Sequence, residues 1–179
     1  LIRGETSFID WREQSYPRWM QTADIYASES LGTSVVHAQA WRTLAEIARI
    51  MGDKEQAATY SRRADEIAEA VNSHLWMNDK GYYAMYFYGR DFPIANPRAE
   101  ALGEALAILF DVAGDRRAKI ITEKFPVTPF GPPVFYPQIP DQPAYHNNAL
   151  WPFVAAYWTL ANAKAGNADG AMLGFGSII

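Results

Sequence analysis

Apolar residues recur at helical spacing along this 179-residue chain. Steps of three and four residues separate the apolar positions of a first run, which are Val36, Ala40, Leu44, Ile47 and Met51. A second run continues from Ala57 to Leu75. Between the two lies Gly52-Asp53, and the same Gly-Asp or Gly-Asn step follows the helical runs at 114–115 and 166–167. Gly fits the left-handed end of one helix, and Asp or Asn caps the next, so the pattern predicts three αα-hairpins.

The first helix of each predicted hairpin is rich in Ala, Leu and aromatic residues and should lie inside. These inner helices are expected at about 33–51, 98–113 and 148–165. The helix after Gly52 carries a charged face and should lie outside. Asn96-Pro97 is expected to open the second inner helix as its cap and first-turn residue, and Asn147 or Asn148 to cap the third. Glu100 and Glu104 stand one turn apart on the second inner helix, where the dipole is expected to stabilise the Glu100 carboxylate.

Three long segments, 1–30, 74–97 and 125–147, each lead into an inner helix. They should therefore emerge at the same end of the stack, where sites are commonly built. Alternating tyrosines before Gly89 predict a short β-ribbon in the second segment. Seven prolines between 125 and 143 indicate a stiff cleft wall, although a Pro-rich protein ligand reads similarly.

Composition narrows the classes of partner. The net charge is −4 with no basic run, so nucleic acid and anionic membrane are not expected as partners. There are no cysteines, which excludes disulfides and thiolate chemistry. Three scattered histidines give no metal-ligand spacing, and no phosphate-binding glycine loop occurs, so no cofactor is expected. The aromatic content of 14% fits a carbohydrate cleft or a large aromatic core.

The two ends of the sequence predict a single segment, residues 1–179, of a longer catalytic domain. The chain opens with Leu1-Ile2-Arg3 and has no initiating methionine. It stops in the apolar run 172–179, without a cap or polar tail. We therefore expect the domain to be incomplete at both ends.

A polar and aromatic segment, Pro143–Phe153, is the first candidate for chemistry. Tyr145, His146, Asn147 and Trp151 supply hydrogen-bonding groups and flat faces within seven residues, a mixture that suits a sugar. The alternative interpretation is an ordinary helix N-terminus.

Asp10 is the second candidate, because Ile9 and Trp11 flank it in the sequence. Apolar surroundings raise the pKa of a carboxylic acid, as a general acid toward a glycosidic oxygen requires. Arg12 and Glu13 follow, so a salt-bridged loop is the alternative.

These two segments together resemble the six-hairpin glycosidases, whose fold is the (α/α)6 barrel. The stretch with Glu5, Asp10-Trp11-Arg12-Glu13 and Arg18-Trp19 is similar to the general-acid segment of trehalases and processing α-glucosidases. Tyr145–Pro152 resembles a Tyr-His-Asn-Gly-x-x-Trp-Pro segment of debranching-type members, with Asn148 at the Gly position.

The resemblance implies an all-α fold, an α/α toroid of which the chain supplies about three hairpins, half of the barrel. It makes Asp10 the general acid of an inverting reaction, with a second carboxylate expected beyond Ile179. The sugar contacts that it implies are Trp11, Arg12, Trp19, Tyr145, His146, Asn147 and Trp151.

We therefore predict a glycoside hydrolase acting on α-glucosides or related oligosaccharides, without a metal or cofactor, whose other partner is the remainder of its own barrel. A sugar epimerase or uronyl hydrolase on the same barrel is one alternative. The other is a non-catalytic helical-repeat module of the tetratricopeptide type, although its fixed period near 34 residues is missing. A periplasmic or secreted location is expected, because polysaccharide is usually met there, with the cytoplasm as the alternative.

Overall fold

The structure is a computed structural model that describes residues 1–5, 16–89 and 93–179. Its described part is mostly α-helical, with short strands between the helices. The helices are α1 (Thr22–Ala27), α2 (Leu31–Ile50), α3 (Lys54–His74), α4 (Ala101–Leu109), α5 (Gly114–Lys124), α6 (Pro152–Ala165) and α7 (Ala168–Gly176). The strands are β1 (Glu29–Ser30), β2 (Trp76–Met77), β3 (Tyr82–Tyr83), β4 (Tyr86–Tyr88), β5 (Ile94–Asn96), β6 (Ala99–Glu100) and β7 (Phe135–Tyr136).

Three αα-hairpins, α2–α3, α4–α5 and α6–α7, confirm the prediction from the Gly-Asp and Gly-Asn steps. Gly52 and Gly166 have positive φ angles of 80° and 81°, the left-handed conformation that ends a helix. The Asp53 side chain accepts a hydrogen bond from the Gln56 N–H and so caps α3. Asn167 caps α7 through the N–H of Gly170 in the same way.

The turn at Gly114 is different, and the prediction that Asp115 caps the next helix is wrong. Gly114 itself is the first residue of α5, and Ala113 stands at the cap without a side-chain hydrogen bond. Asp115 lies one residue inside, in the first turn of the helix. There its charge faces the positive end of the helix dipole instead of closing the end by a side-chain bond.

Helix α4 lies at the centre of the molecule, packed against α2 on one side and α6 on the other. Every residue from Ala101 to Ile108 is buried. The three predicted inner helices are therefore neighbours in one row. Trp158 of α6 is fully buried and packs on Phe125, with the ring centroids 4.4 Å apart.

The apolar positions that revealed α2 in the sequence do not face the core. Val36, Leu44 and Ile47 are 40%, 42% and 47% exposed, whereas the buried side of α2 is formed by Leu31, Gly32, Ser34, Val35, Ala38, Ala45 and Ala48. Helix α2 thus has two apolar faces, and small residues form much of the one that packs on α3 and α4. Spacing identified the helix correctly but could not tell which face is buried.

Two of the inner helices begin later than predicted. Asn96 is the last residue of β5, and α4 begins only at Ala101 with Glu100 at its cap position. Pairing of Ala99–Glu100 with Phe135–Tyr136 keeps this stretch extended. For α6, Pro152 is the first helical residue, and Trp151 stands at the cap instead of the predicted asparagine.

Short strands connect the N-terminal ends of the inner helices. The predicted β-ribbon is confirmed, because β4 pairs antiparallel with both β1 and β5. At the start of α4, the N–H of Ala101 donates to the carbonyl of Val134, and the N–H of Val134 donates to the carbonyl of Ala149. The backbone of β7 therefore lies between the start of α4 and the segment that leads into α6. No helix in the described ranges combines the length and apolar character needed to cross a bilayer.

Candidate functional site

Four rings pack together at the entrance to α6, and we call them the Tyr145–Trp151 cluster: Tyr145, His146, Trp151 and Phe153. The contacts of Tyr145 with His146 and Trp151, and that of Trp151 with Phe153, are edge to face, whereas the His146 and Trp151 rings are inclined by 30°. The His146 ring lies 4.7 Å from the Tyr145 ring and 5.3 Å from the Trp151 ring. His146 is buried, whereas Tyr145 is 39% exposed. The Trp151 indole N–H donates to the carbonyl of Tyr145 at 3.0 Å, which holds the segment in a tight loop. The cluster presents Tyr145 to solvent and His146 to the interior.

Asn147 faces inward and braces the loop that precedes the cluster. Its side-chain oxygen accepts from the Ile139 N–H at 2.8 Å, and its amide donates to the carbonyls of Ile139 and Gln142. The residue is only 3% exposed. Because these bonds use both ends of the amide, Asn147 fixes the path of residues 139–147.

The backbone conformation of Asn148 explains why glycine can stand at the same position of the Tyr-His-Asn-Gly motif. Its φ angle is 52°, in the left-handed region that glycine enters freely and asparagine more easily than other residues. Asn148 therefore makes the same backbone turn that Gly would make at this position of the Tyr-His-Asn-Gly motif.

A second feature, which we call the Trp19–Arg98 cleft, opens beside this loop with a volume of about 510 Å³. Its walls include Trp19, Tyr88, Asn96, Arg98, Ile139 and Asp141. The exposed fraction of Trp19 is 58%, and its ring lies 5.2 Å from that of Tyr88. A cleft of this size, with aromatic faces and a few polar groups, has the usual character of a small-molecule site.

Arg98 is the half-buried cation of this cleft. Its Nε donates to the carbonyl of Pro137 at 2.9 Å, and its terminal nitrogens lie 3.4 Å from the Gln138 carbonyl and the Asn96 side-chain oxygen. Burial lowers the pKa of Arg98, and the neighbouring Tyr86 and Tyr88 oppose that shift. Among the residues that the structure describes, no carboxylate forms an ion pair with Arg98.

The loop 137–147 links the cleft to the cluster. Arg98 holds its start, at Pro137, and Asn147 holds its middle, at Ile139 and Gln142. The Gln142 side chain donates to the carbonyl of Tyr16, which ties the loop to the segment that carries Trp19. Three parts of the chain that are far apart in sequence therefore form one continuous surface.

Two fully buried carboxyl groups lie at the N-terminal end of α4. Burial raises the pKa of Glu100 to about 7, and the N–H of Gly103 only partly opposes the shift. Burial also raises the pKa of Glu104 well above its usual value, although the side chain accepts a hydrogen bond from the Tyr83 N–H at 2.7 Å. The expected stabilisation of the Glu100 carboxylate by the helix dipole is thus outweighed by loss of hydration.

The predicted site residues fall into three groups. Tyr145, His146 and Trp151 meet in the cluster, with Asn147 braced behind them, and Trp19 lies in the cleft on the other side of the loop. Asp10, Trp11 and Arg12 lie outside the described residues. The sugar-contact and general-acid roles of all these residues stay predictions. Within the described ranges, no group of three or more His, Cys, Asp or Glu side chains is placed to hold a metal ion.

Sequence reasoning missed Arg98, Asn96 and the role of Tyr88 in the cleft. The alternating tyrosines predict only a ribbon at Tyr88, and the apolar pattern predicts a helix at Arg98. The partners of Arg98 are about 40 residues away in sequence, at Pro137 and Gln138, so no local spacing could reveal them. The nearest signal was the Asn96-Pro97-Arg98 step itself, which interrupts the helical pattern.

The hairpins, the cluster and the aromatic cleft together have the character of a glycoside hydrolase of the six-hairpin superfamily. Comparison with protein families identifies the particular family: residues 7–173 match the mannosylglycerate hydrolase MGH1-like glycoside hydrolase domain. The chain belongs to this family. The matched range includes Asp10 and the whole Tyr145–Trp151 cluster. No curated protein matches the chain.

Proposed function

We propose that this chain carries the sugar-binding wall and the general acid of an inverting glycoside hydrolase that acts on α-glucosides or related oligosaccharides. Family membership over residues 7–173 is the observation that carries the proposal. It also favours hydrolysis over the epimerase and helical-repeat alternatives. The family's name adds mannosylglycerate, a mannose joined to glycerate, as a second substrate to test.

In the proposed mechanism Asp10 donates a proton to the glycosidic oxygen as the bond breaks. The second carboxylate of an inverting pair activates a water molecule on the opposite face of the sugar ring. Tyr145 and Trp151 would provide flat faces for the sugar, and the buried His146 a hydrogen bond to a hydroxyl group. The aromatic packing of the cluster supports this role, because rings that are already ordered lose little entropy on binding.

The proposal includes the larger architecture, in which the three hairpins form half of a single (α/α)6 toroid. Within the three hairpins, large apolar side chains are exposed on the two flanking ones, for example at Val36, Leu44 and Ile47 of α2 and at Tyr157 and Leu160 of α6. The central helix α4 has none. Further hairpins on either side of the row would bury these faces, and they are the partner that we propose for the chain.

The general-acid assignment is tested by Asp10→Asn in the full protein. We expect kcat/KM for hydrolysis to fall by at least about 100-fold, because general acid catalysis typically contributes that much or more. Substrates should include α-glucosides, α-mannosides and mannosylglycerate. The matched control is Asp65→Asn on the exposed face of α3, which should keep the wild-type rate. Near wild-type hydrolysis by Asp10→Asn would overturn the assignment, and NMR detection of an α-anomer as the first product from an α-glucoside would overturn inversion.

A further inference from the structure

We infer that a pocket between the β2–β3 turn and α5 is a second saccharide-binding site, separate from the catalytic one. We call it the Trp76–Arg117 pocket; its volume is about 490 Å³, and its walls include Trp76, Asn78, Asp115, Arg116, Arg117 and Ile120. Within the described residues, it shares no lining residue with the Trp19–Arg98 cleft. The inference goes beyond the proposed hydrolysis and does not depend on the role of Asp10.

The aromatic and cationic wall of the pocket is held by a hydrogen-bond network. The guanidinium carbon of Arg117 lies 4.9 Å from the centroid of the Trp76 ring, and one terminal nitrogen donates to the side-chain oxygen of Asn72. The Asn72 amide donates to two backbone carbonyls, at 2.9 and 2.8 Å, and its oxygen also accepts from the hydroxyl of the buried Tyr83 at 2.6 Å. The wall is therefore ordered before any ligand arrives, which lowers the entropy lost on binding.

The other side of the pocket is closed by the β2–β3 turn, which contacts α5 directly. Gly81 in this turn has a φ angle of 79°, and a Cβ atom there would lie 2.9 Å from Cγ2 of Ile120 and 3.0 Å from Cγ of Lys124. The Trp76 indole N–H donates to the side-chain oxygen of Asn78 at 2.8 Å, which ties the strand to the turn. Two segments about 40 residues apart in sequence thus form one fixed concave surface.

Several polar groups around this surface have no partner within the described ranges. They are Nε and the second terminal nitrogen of Arg117, the amide nitrogen of Asn78, and the charged groups of Asp115 and Arg116. Asn78, Asp115 and Arg116 are exposed and form the rim. The pocket therefore offers both hydrogen-bond donors and an acceptor beside an aromatic ring.

This combination favours a saccharide over an inorganic anion or an apolar ligand. A sugar hydroxyl both donates and accepts, so it can use a carboxylate and a guanidinium that stand side by side, and the C–H face of the ring can cover an aromatic surface. A phosphate or sulfate group would be attracted by Arg116 and Arg117 but repelled by Asp115. The volume lies in the usual range of small-molecule sites.

Membership of a glycoside hydrolase family gives such a site a use. A saccharide held at one site stays close to the protein, and its effective concentration at a second site on the same protein rises without any new catalytic contact. The Trp76–Arg117 pocket would thus add to the retention of a saccharide, while the cleavage chemistry stays elsewhere.

The test follows the tryptophan indole N–H signals of the full protein by 15N NMR, in the Asp10→Asn background so that no probe is consumed. Maltotriose, cellotriose and α-1,6-mannotriose are titrated to about 10 mM, which would largely saturate a site with a millimolar dissociation constant. The signals of Trp76 and Trp151 are assigned by replacing each residue with Phe. We expect at least one trisaccharide to shift the Trp76 signal in a saturable way.

The dissociation constant read from the Trp76 signal should be about tenfold or more weaker in Arg117→Gln, because a hydrogen bond from a charged group is lost. The matched control is Arg63→Gln on the exposed face of α3, which should leave it unchanged. If Arg117→Gln fails to fold, the double variant Asp115→Asn/Arg116→Gln decides, since both side chains are exposed. It should weaken binding by about three- to tenfold.

The outcomes separate this site from the proposed function. A trisaccharide that shifts only the Trp151 signal, or none of the three probes shifting Trp76, would overturn the second site and leave the hydrolase proposal as it is. A Trp76 shift that is unchanged in Arg117→Gln, or in the double variant, would show that the Trp76–Arg117 contact serves packing alone. Sodium sulfate that shifts Trp76 as strongly as the sugars at equal ionic strength would identify an anion site instead and overturn the saccharide.

Discussion

The Tyr145–Trp151 cluster and the Trp19–Arg98 cleft contain the same kinds of residues, but they use their polar groups differently. In and behind the cluster, the Trp151 indole and the Asn147 amide are bonded to the backbone of their own loop. In the cleft, Trp19 is 58% exposed and the bonds of the Arg98 terminal nitrogens are long. The cluster is thus a rigid support, and the cleft is a surface whose remaining donors are available to a ligand.

This difference teaches where variation in substrate is expected. A side chain that holds the loop cannot be changed without moving its neighbours, so substitutions in the cluster are expected to lower stability as well as activity. A side chain at the wall of an open cleft can be exchanged at little cost in stability. Substitutions at the cleft wall are therefore expected to change ligand preference with little change in stability.

The largest expected effect on stability comes from the buried segment that joins the cleft to α4. Glu100 lies in the segment between Arg98 and α4, and its raised pKa contributes stability that is present below about pH 4.5 and lost as the pH rises through about 7. Glu100→Gln removes this group's ionisation, so relative to wild type it should gain about 3 kcal/mol in free energy of unfolding between pH 4 and pH 8. Urea unfolding at both pH values measures it.

The control for that experiment is Glu46→Gln, an exposed carboxylate that pairs with Arg49 on the surface. Its effect on stability should be within a few tenths of a kcal/mol at either pH. A Glu100→Gln variant whose stability runs parallel to wild type from pH 4 to pH 8 would show that burial does not control this group.

The second-largest expected effect, that of Asn147→Ala, distinguishes the rigid cluster from the open cleft. Asn147→Ala removes three hydrogen bonds and leaves the N–H of Ile139 and two carbonyls without their partner, so the free energy of unfolding should fall by about 2–3 kcal/mol. The same change should weaken binding in both regions, because both depend on the loop. Asn148→Ala is a poorer control because of its positive φ, and Asn78→Ala, in the exposed turn that follows β2, is the better one. Unchanged thermal stability of Asn147→Ala would contradict the bracing role.

The smallest effect on stability is expected at Trp19. Trp19→Ala should lower the free energy of unfolding by less than about 1 kcal/mol, because more than half of the side chain is already in water. It should nevertheless raise KM, since the stacking surface of the cleft is lost. A stability loss comparable with that of Asn147→Ala would remove the distinction between the two regions.

The helices could be predicted from the sequence because their signals are local. Gly52, Gly166 and the residues that follow them encode turns and caps within four positions, and both sites agree with the structure. The start of α4 could not be predicted, because Ala99 and Glu100 are kept extended by pairing with a strand 35 residues later. Local propensity favours a helix there, and the distant partner overrides it.

The candidate site likewise has a part that could be predicted from local sequence and a part that could not. His146, Asn147 and Trp151 stand close together in sequence, so their chemistry was visible as a motif, although the inward direction of Asn147 was not. The cleft was invisible, because Trp19, Tyr88 and Arg98 come from three separate segments, and tertiary packing alone brings them together. The exposed apolar face of α2 is a similar case. The spacing of apolar residues identifies an apolar face of a helix, but it does not show which part of the protein covers that face.

The two buried glutamates have a consequence for how the protein exchanges protons with its solvent. The formal charge of −4 counts both of them as ionised, yet the pKa of each is raised in the folded chain. At neutral pH the folded protein is therefore less negative than the unfolded chain, and folding takes up protons from the medium. A calorimetric heat of unfolding at pH 7 should accordingly change with the ionisation enthalpy of the buffer, which measures the released protons directly.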